Sequence, residues 1–275
     1  MTDTRPESLQ KIKHIVAVAS GKGGVGKSTT TVNVALAMAK LGYKVGLLDA
    51  DIYGPSQGLM LGITEGTHPE TMEEKWFVPI TAHGISVMSM AFLVDANAPM
   101  VWRGPMAAGA LQQMLLQTKW DELDYLFVDM PPGTGDIQLT LCQKAQVSGA
   151  LIVTTPQDLA LLDARKGIEM FNKVNVPVLG IVENMSTHVC SQCHHEEAIF
   201  GEGGGASLAQ QYGTELLASL PLSMTIRQQV DSGQPTVVAD PSATASQTYN
   251  QLAQALVGKL DGVSQAMPNI SIDED

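Results

Sequence analysis

The chain has 275 residues, 44% of them apolar, with 28 acidic against 16 basic side chains and a formal charge of −12. That balance repels nucleic-acid backbones and anionic lipid headgroups unless a basic patch offsets it, and no such patch is visible in the sequence. No uninterrupted run of about 18 apolar residues occurs, which argues against a membrane-spanning helix, and the opening "MTDTRPESLQKIKHI" lacks the apolar stretch of a signal peptide, so a cytoplasmic protein with three reduced cysteines is expected.

In chain order, residues 1–10 are expected to fray. The strand "HIVAVA" (14–19) leads through a glycine-rich segment into a helix over 28–41, where Val32, Ala35, Leu36 and Ala39 share one face and Gly42 supplies the stop. The strand "KVGLLD" (44–49) follows, then a long irregular insertion over 54–82. Strands are predicted at 84–90, 125–130, 149–155 and 177–183, and helices at 105–117, 137–146, 158–173, 203–212 and 244–259. The strands are almost continuously apolar, as strands covered on both faces are. Their alternation with helices predicts an α/β fold: a single doubly wound, mainly parallel sheet flanked by helices, forming one domain over 11–262. Residues 263–275, ending in "NISIDED", are expected to be a flexible acidic tail.

Gly21 to Ser28, "GKGGVGKS", satisfies G-x-x-x-x-G-K-[ST] and sits after a strand at the opening of a helix, the placement that a P-loop needs. Gly21, Gly23, Gly24 and Gly26 let backbone N–H groups converge on phosphates without Cβ clashes, and the helix N-terminus adds partial positive charge. The whole stretch, with Lys22, Val25 and Thr29, is the expected ATP-binding segment. Lys27 is expected to reach the β- and γ-phosphates and the Ser28 hydroxyl to coordinate Mg²⁺; the plain alternative is a glycine-rich turn with no ligand. A P-loop also needs an acidic contribution to the metal, normally an aspartate ending an apolar strand. Asp129 in "DYLFVDMPPGTGD" fits, whereas Asp124 precedes the strand. Asp49 and Asp51 close the "KVGLLDAD" edge, which faces the ligand crevice of such sheets. Asp51 is expected to orient the attacking water and Asp49 to lie near the metal, although each could instead cap the following loop.

These residues carry a resemblance. "GKGGVGKST", "LLDAD" and "FVDMPPGTGD" resemble the deviant-Walker P-loop ATPases, the class of the nitrogenase iron protein, the septum-positioning and partition ATPases, and the Mrp/ApbC-type iron–sulfur cluster carriers. In that class the lysine matching Lys22 crosses to the nucleotide of a partner subunit, so the resemblance implies a face-to-face homodimer, with a solvated loop cation as the alternative. "DIYGPS", "WRGPM", "TTPQ", "GIVENMS" and "LPLSMTIRQQVDSGQP" are similar to the Mrp/ApbC branch over about residues 11 to 260. By that likeness Asn184 reads the adenine, against the alternative of a buried, backbone-bonded asparagine, and Arg103 contacts phosphate or partner, or simply forms a surface salt bridge.

"HVCSQCHHEE" follows the last predicted strand. Cys190 and Cys193 can share a metal or cluster, yet a tetrahedral zinc site or an iron–sulfur cluster usually wants four protein ligands. A two-fold homodimer would supply Cys190, Cys193 and their symmetry mates. In the Mrp/ApbC family this pair holds a bridging [4Fe–4S] cluster, within a segment similar to C-P-x-C-G; here Ser191 and His194 replace the proline and glycine. Zinc at the same cysteines, with His188, His194 or His195, is the competing occupant. A haem attachment motif and a thioredoxin-like dithiol fit less well, the first for want of an export signal and the second for want of a strand-to-helix junction. Cys142, on a predicted helix, reads as a core residue.

The expected function is therefore an ATP-hydrolysing iron–sulfur cluster carrier, partnered by itself, by apo iron–sulfur proteins and by a cluster-assembly scaffold, with no nucleic acid and no membrane. The alternatives are a spatial-organising ATPase of the partition or septum type with a structural zinc site, for which vesicle or DNA co-sedimentation would speak, and a small-molecule kinase.

Overall fold

A computed structural model describes residues 5–265 apart from 74, 94–103, 191 and 194. Arg103, Ser191, His194 and the end of the acidic tail, 266–275, lie outside the described residues.

The elements run β1 (Ile12–Ala19), α1 (Lys27–Lys40), β2 (Val45–Asp49), α2 (Gln57–Met60), β3 (Thr71–Met72), β4 (Trp76–Phe77), β5 (Ile80–Ala82), β6 (Ile85–Ser89), α3 (Gly104–Gln117), β7 (Leu123–Asp129), α4 (Asp136–Ala145), β8 (Gly149–Thr154), α5 (Asp158–Lys173), β9 (Val178–Glu183), β10 (His188–Val189), β11 (Glu196–Glu197), α6 (Gly204–Gln211), β12 (Leu216–Ser219), α7 (Met224–Asp231), α8 (Thr236–Ala239) and α9 (Thr244–Gln265). The main sheet has eight strands in the order β12-β9-β8-β1-β7-β2-β6-β5. Every pairing in it is parallel except that of β5 with β6, so the expected mainly parallel, doubly wound sheet is what forms.

The central strands explain their own composition. Ile15–Ala19 of β1 and Leu126–Asp129 of β7 are buried throughout, because helices cover both faces. Helix α1 is buried almost all round, with Val32, Val34, Ala35, Ala37 and Met38 at or near zero exposure. It is sandwiched between the sheet and α9, whose Tyr249, Leu252, Ala253, Leu256 and Leu260 form a buried stripe at helical spacing. Burying a Leu-sized side chain contributes about 1.5–3 kcal/mol, so α9 is a structural member of the domain.

Several expectations are corrected. The 54–82 insertion is not irregular throughout: it holds α2, the β3–β4 hairpin and the antiparallel edge strand β5. Residues 5–10, expected to fray, are held by the fully buried Leu9 and by the Arg5 guanidinium, which donates to the Ile12 carbonyl at 2.6 Å. Helix α9 continues to Gln265, past the expected start of the tail. Strand β12 and helices α7 and α8 go beyond the predicted elements; α7 starts at Ser223, whose Oγ accepts from Ile226 N at 3.4 Å. Gly42, at φ 93°, ends α1 as expected.

Candidate functional site at the carboxyl edge of the sheet

Strand β1 ends at Ala19, and Ser20–Gly26 turn the chain into α1. Gly24 and Gly26 have φ of 82° and 83°, a region that side-chain-bearing residues rarely adopt. Gly26 also meets Asn184, which is buried and donates Nδ2 to the Val25 carbonyl at 2.9 Å; a Cβ on Gly26 would lie 2.0 Å from that nitrogen. Gly21 packs as tightly, since a Cβ there would meet the Asp163 backbone of α5 at 2.1 Å. Gly26→Ala should therefore destabilise the fold by roughly 1–3 kcal/mol from backbone strain alone, and more if Asn184 has to leave; denaturant unfolding of the variant measures it.

The loop bounds an open crevice of about 200 Å³ lined by Gly23, Gly24, Gly26, Lys27, Ser28, Thr29 and Asp51, among others. A larger groove of about 560 Å³, between Lys11 and Glu122, lies at the opposite edge of the sheet and touches none of these residues. Lys22 is half-buried beside the crevice, with its carbonyl accepting from Ser20 Oγ at 2.9 Å. Among the described residues its ammonium has no ion-pair partner.

Lys27 is buried, and its Nζ donates to Asp129 Oδ1 at 2.5 Å and to Ser28 Oγ at 3.2 Å. Asp51 Oδ2 lies 3.9 Å from the same nitrogen. Asp129 is fully buried and also accepts from Thr31 Oγ1 at 3.3 Å and from Gln57 Nε2 at 2.7 Å. Gln138 holds the loop after β7, donating to the Pro131 and Pro132 carbonyls, and Gly133 N donates to the Ser20 carbonyl, which ties that loop to the P-loop.

The two aspartates of "LLDAD" divide their work. Asp51 faces the crevice, and burial pushes its carboxyl above the usual carboxylate range, against the pull of Lys27. Its carboxylate also accepts backbone N–H groups of Tyr53 and Gly54, so it both lines the site and braces its own loop. Asp49, paired with Asp129 across β2 and β7, takes the loop-capping role that the sequence left open: it accepts from the backbone N of Asp51, Ser56 and Gln57 and from Ser89 Oγ at 2.9 Å. Complete burial, reinforced by the charge of Asp129, pushes the Asp49 carboxyl up to about 7. The Ser28 hydroxyl with the Asp51 and Asp129 carboxylates is a hard oxygen donor set of the kind Mg²⁺ takes, so the residues present fit that ion.

Cys190 and Cys193 do not line the crevice. They sit in the turn of the β10–β11 hairpin, closed by Cys190 N donating to the His195 carbonyl at 3.0 Å and joined to the body where Leu222 N donates to the Thr187 carbonyl. Cys193 is exposed and Cys190 partly so. Backbone N–H groups of Cys193 and Gln192, with the Cys193 thiol, hydrogen-bond the Cys190 sulfur and hold its thiol below the usual range. Among the described residues no group of three or more His, Cys, Asp or Glu is placed to hold a metal, so His188 and His195 do not complete a site with the thiols. Cys142 is a buried core residue whose thiol burial pushes up to about 11.

Gln57, Thr31 and Ser89 were not readable in advance. Each is a single polar residue whose partner comes from another element, and only α1's helical register could have pointed at Thr31, one turn beyond Lys27.

A family model described as ParA, NUBPL iron-transfer P-loop NTPase, matches residues 11–257. A Pseudomonas fragi protein named iron-sulfur cluster carrier protein is 68% identical over 245 residues, covering 89% of this chain and 85% of its own length. One of the same name from Escherichia coli K12 is 55% identical over 260 residues, 94% of this chain and 70% of that protein. Among solved structures, a nucleotide-binding protein from Archaeoglobus fulgidus in complex with ADP superposes with a TM-score of 0.74 at 39% identity, covering 86% of this chain and 92% of that one. With a glycine loop, an acidic strand end and a match over nearly its whole length, the chain belongs to the NUBPL-type iron-transfer P-loop NTPase family.

Proposed function

We propose that the chain is an ATP-hydrolysing carrier that holds a [4Fe–4S] cluster between two copies of itself and passes it to apo-proteins. The observation that carries this reading is the pairing, in one chain, of a phosphate-binding crevice with a separate surface hairpin that offers two thiols and, among the described residues, no third ligand. Two such hairpins facing one another about a two-fold axis would complete a four-thiolate set. The relatives named as cluster carriers support the reading, and they do not favour a partition- or septum-type role. Among the described residues no helix is long and apolar enough to cross a membrane; a cytoplasmic setting, where thiols stay reduced, belongs to the proposal.

In this reading Lys27 leaves Asp129 for the β- and γ-phosphates, and the P-loop amides bind the same groups. Ser28 and Asp129 hold Mg²⁺, which when bound neutralises charge on the phosphate oxygens. Asp51 orients the attacking water. Lys22 reaches the nucleotide of the partner subunit, where a cation stabilises charge developing on the transferred phosphoryl group. Asn184 shapes the loop through Val25, and its other amide hydrogen and its carbonyl are assigned to the adenine edge. The cluster is cargo, delivered from an assembly scaffold and released to acceptors.

Anaerobic reconstitution with iron and sulfide tests the proposal. The expected result is a visible absorption band with about four irons per two chains, and a dimeric mass that Lys22→Ala weakens in the presence of ATP. A chain that stays monomeric with ATP and with iron, or one that binds only zinc, would overturn it.

A further inference from the structure

Gln57 belongs to none of the motifs, yet it ties Asp49, Asp129 and the first turn of α1 together. It is the first residue of α2 and has no exposed surface. Its backbone N donates to Asp49 Oδ2 at 3.0 Å. Its side-chain nitrogen donates twice, to Asp129 Oδ2 at 2.7 Å and to the Ser28 carbonyl at 3.0 Å. Its Oε1 is buried and has no hydrogen-bond partner among the described residues. A buried amide half satisfied in this way is costly, and such groups in native structures call for an explanation.

The division of Asp129's hydrogen bonds supplies one. Oδ1 accepts from the Lys27 ammonium and the Thr31 hydroxyl, while Oδ2 accepts from Gln57. When phosphates draw Lys27 away, Oδ1 loses its cation but Oδ2 keeps a neutral donor that belongs to a different element. That donor is anchored three ways: by Asp49 through its backbone, by the Ser28 carbonyl, and by α2, two residues beyond which Gly62 packs against Gly233 with no room for a Cβ on Gly233, which would lie 2.5 Å away. A neutral amide can stay in place through a change of charge that would pull a lysine or a carboxylate with it.

We infer that Gln57 is a positioning residue for the nucleotide site: it fixes Asp129 and the first turn of α1 in one arrangement while Lys27 passes from the carboxylate to the phosphates. The orphaned Oε1 can only receive a hydrogen bond, so it would be available to a water carried by an ion held at Ser28 and Asp129. The inference rests on the reading of the crevice as a Mg²⁺–nucleotide site and makes it more specific. A side chain held this way acts on the geometry of a ligand group, and small losses of geometry are large losses of rate.

The test uses the full chain and two variants, Gln57→Met and Gln57→Leu, both matched to a buried site so that either can be read if the other fails to fold. ADP binding is measured by titration calorimetry with and without Mg²⁺, and ATP turnover is measured against Mg²⁺ concentration. The expected result is ADP affinity within about twofold of the unaltered chain when Mg²⁺ is absent, but a Mg²⁺ requirement raised on the order of tenfold, of the size seen when partners of metal ligands are removed. An unchanged Mg²⁺ requirement overturns the inference. So does an equal loss of metal-free and metal-dependent binding, because that is what a merely structural residue would give. If the unaltered chain binds no Mg²⁺–ADP at all, it is the reading of the crevice that fails. Cluster loading through the thiols is measured separately and bears on neither result.

Discussion

Lys27→Met is expected to lower ATP turnover by roughly a hundred- to a thousandfold, the range found when one preorganised charge-stabilising donor is deleted. The structure predicts a second effect, on the stability of the folded chain. Lys27 and Asp129 form a pair that solvent scarcely reaches, with the lysine side chain 6% exposed and the aspartate fully covered. Removing only the cation leaves a buried carboxylate beside Asp49, and breaking such a pair typically costs about 3–5 kcal/mol. Lys27→Met should therefore melt early as well as turn over slowly. Adding Asp129→Asn should restore much of the stability while leaving turnover low, because the amide neutralises the orphaned charge but returns no cation to the phosphates. Denaturant unfolding and steady-state turnover of the single and double variants separate the two effects. Equal melting of Lys27→Met and the unaltered chain would mean that the pair contributes nothing to folding.

Cys190→Ser/Cys193→Ser should leave the fold almost untouched and remove iron binding on the order of tenfold or more, since hydroxyls do not replace thiolates toward iron. The stability half of this follows from position. The thiols lie in a hairpin turn with Cys193 exposed, and surface substitutions of this kind usually change stability by no more than about 0.5 kcal/mol. The binding half follows from the small donor set, because among the described residues nothing stands ready to substitute for a lost sulfur. Iron and sulfide content after anaerobic reconstitution, alongside melting, decides it. Retention of a normal cluster by the double variant would place the cargo elsewhere on the molecule.

Much of the architecture was legible because apolar runs in a doubly covered sheet have little else to be. The strand ending at Asp129 and the helix opening at Lys27 were visible from hydrophobic pattern plus glycine spacing, and both fall within a residue or two of the expected bounds. The edges were less legible. Strand β12 is a short, partly exposed segment, and β5 is only three residues long, too short for a pattern to stand out, so pairing with a neighbour rather than local propensity makes each a strand. Helices α7 and α8 are short and held by a serine cap and by packing against α1 and α2, contacts distant in sequence. At the site, spacing could place both Asp49 and Asp51 at a strand end but could not say which would turn outward. Strand β2 ends at Asp49, so its alternation does not carry on to Asp51: one carboxylate closes onto the loop and the other faces the crevice. Gln57 was invisible for a similar reason: its meaning comes from Asp129 and Ser28, far away in the chain.

The pairing of Val18 with Asp129 and of Asp129 with Asp49 lines up three neighbouring strands in a single rank. Adjacent strands in such a rank are about 4.8 Å apart, which is why the two carboxylates feel one another. It also makes the site intolerant of length changes in its strands. One residue added to β7 would turn Asp129 to the far face of the sheet, away from Lys27, whereas the β3–β4 hairpin can lengthen without moving any member of the rank. Insertions during the divergence of such chains should therefore collect in that hairpin and spare the strands.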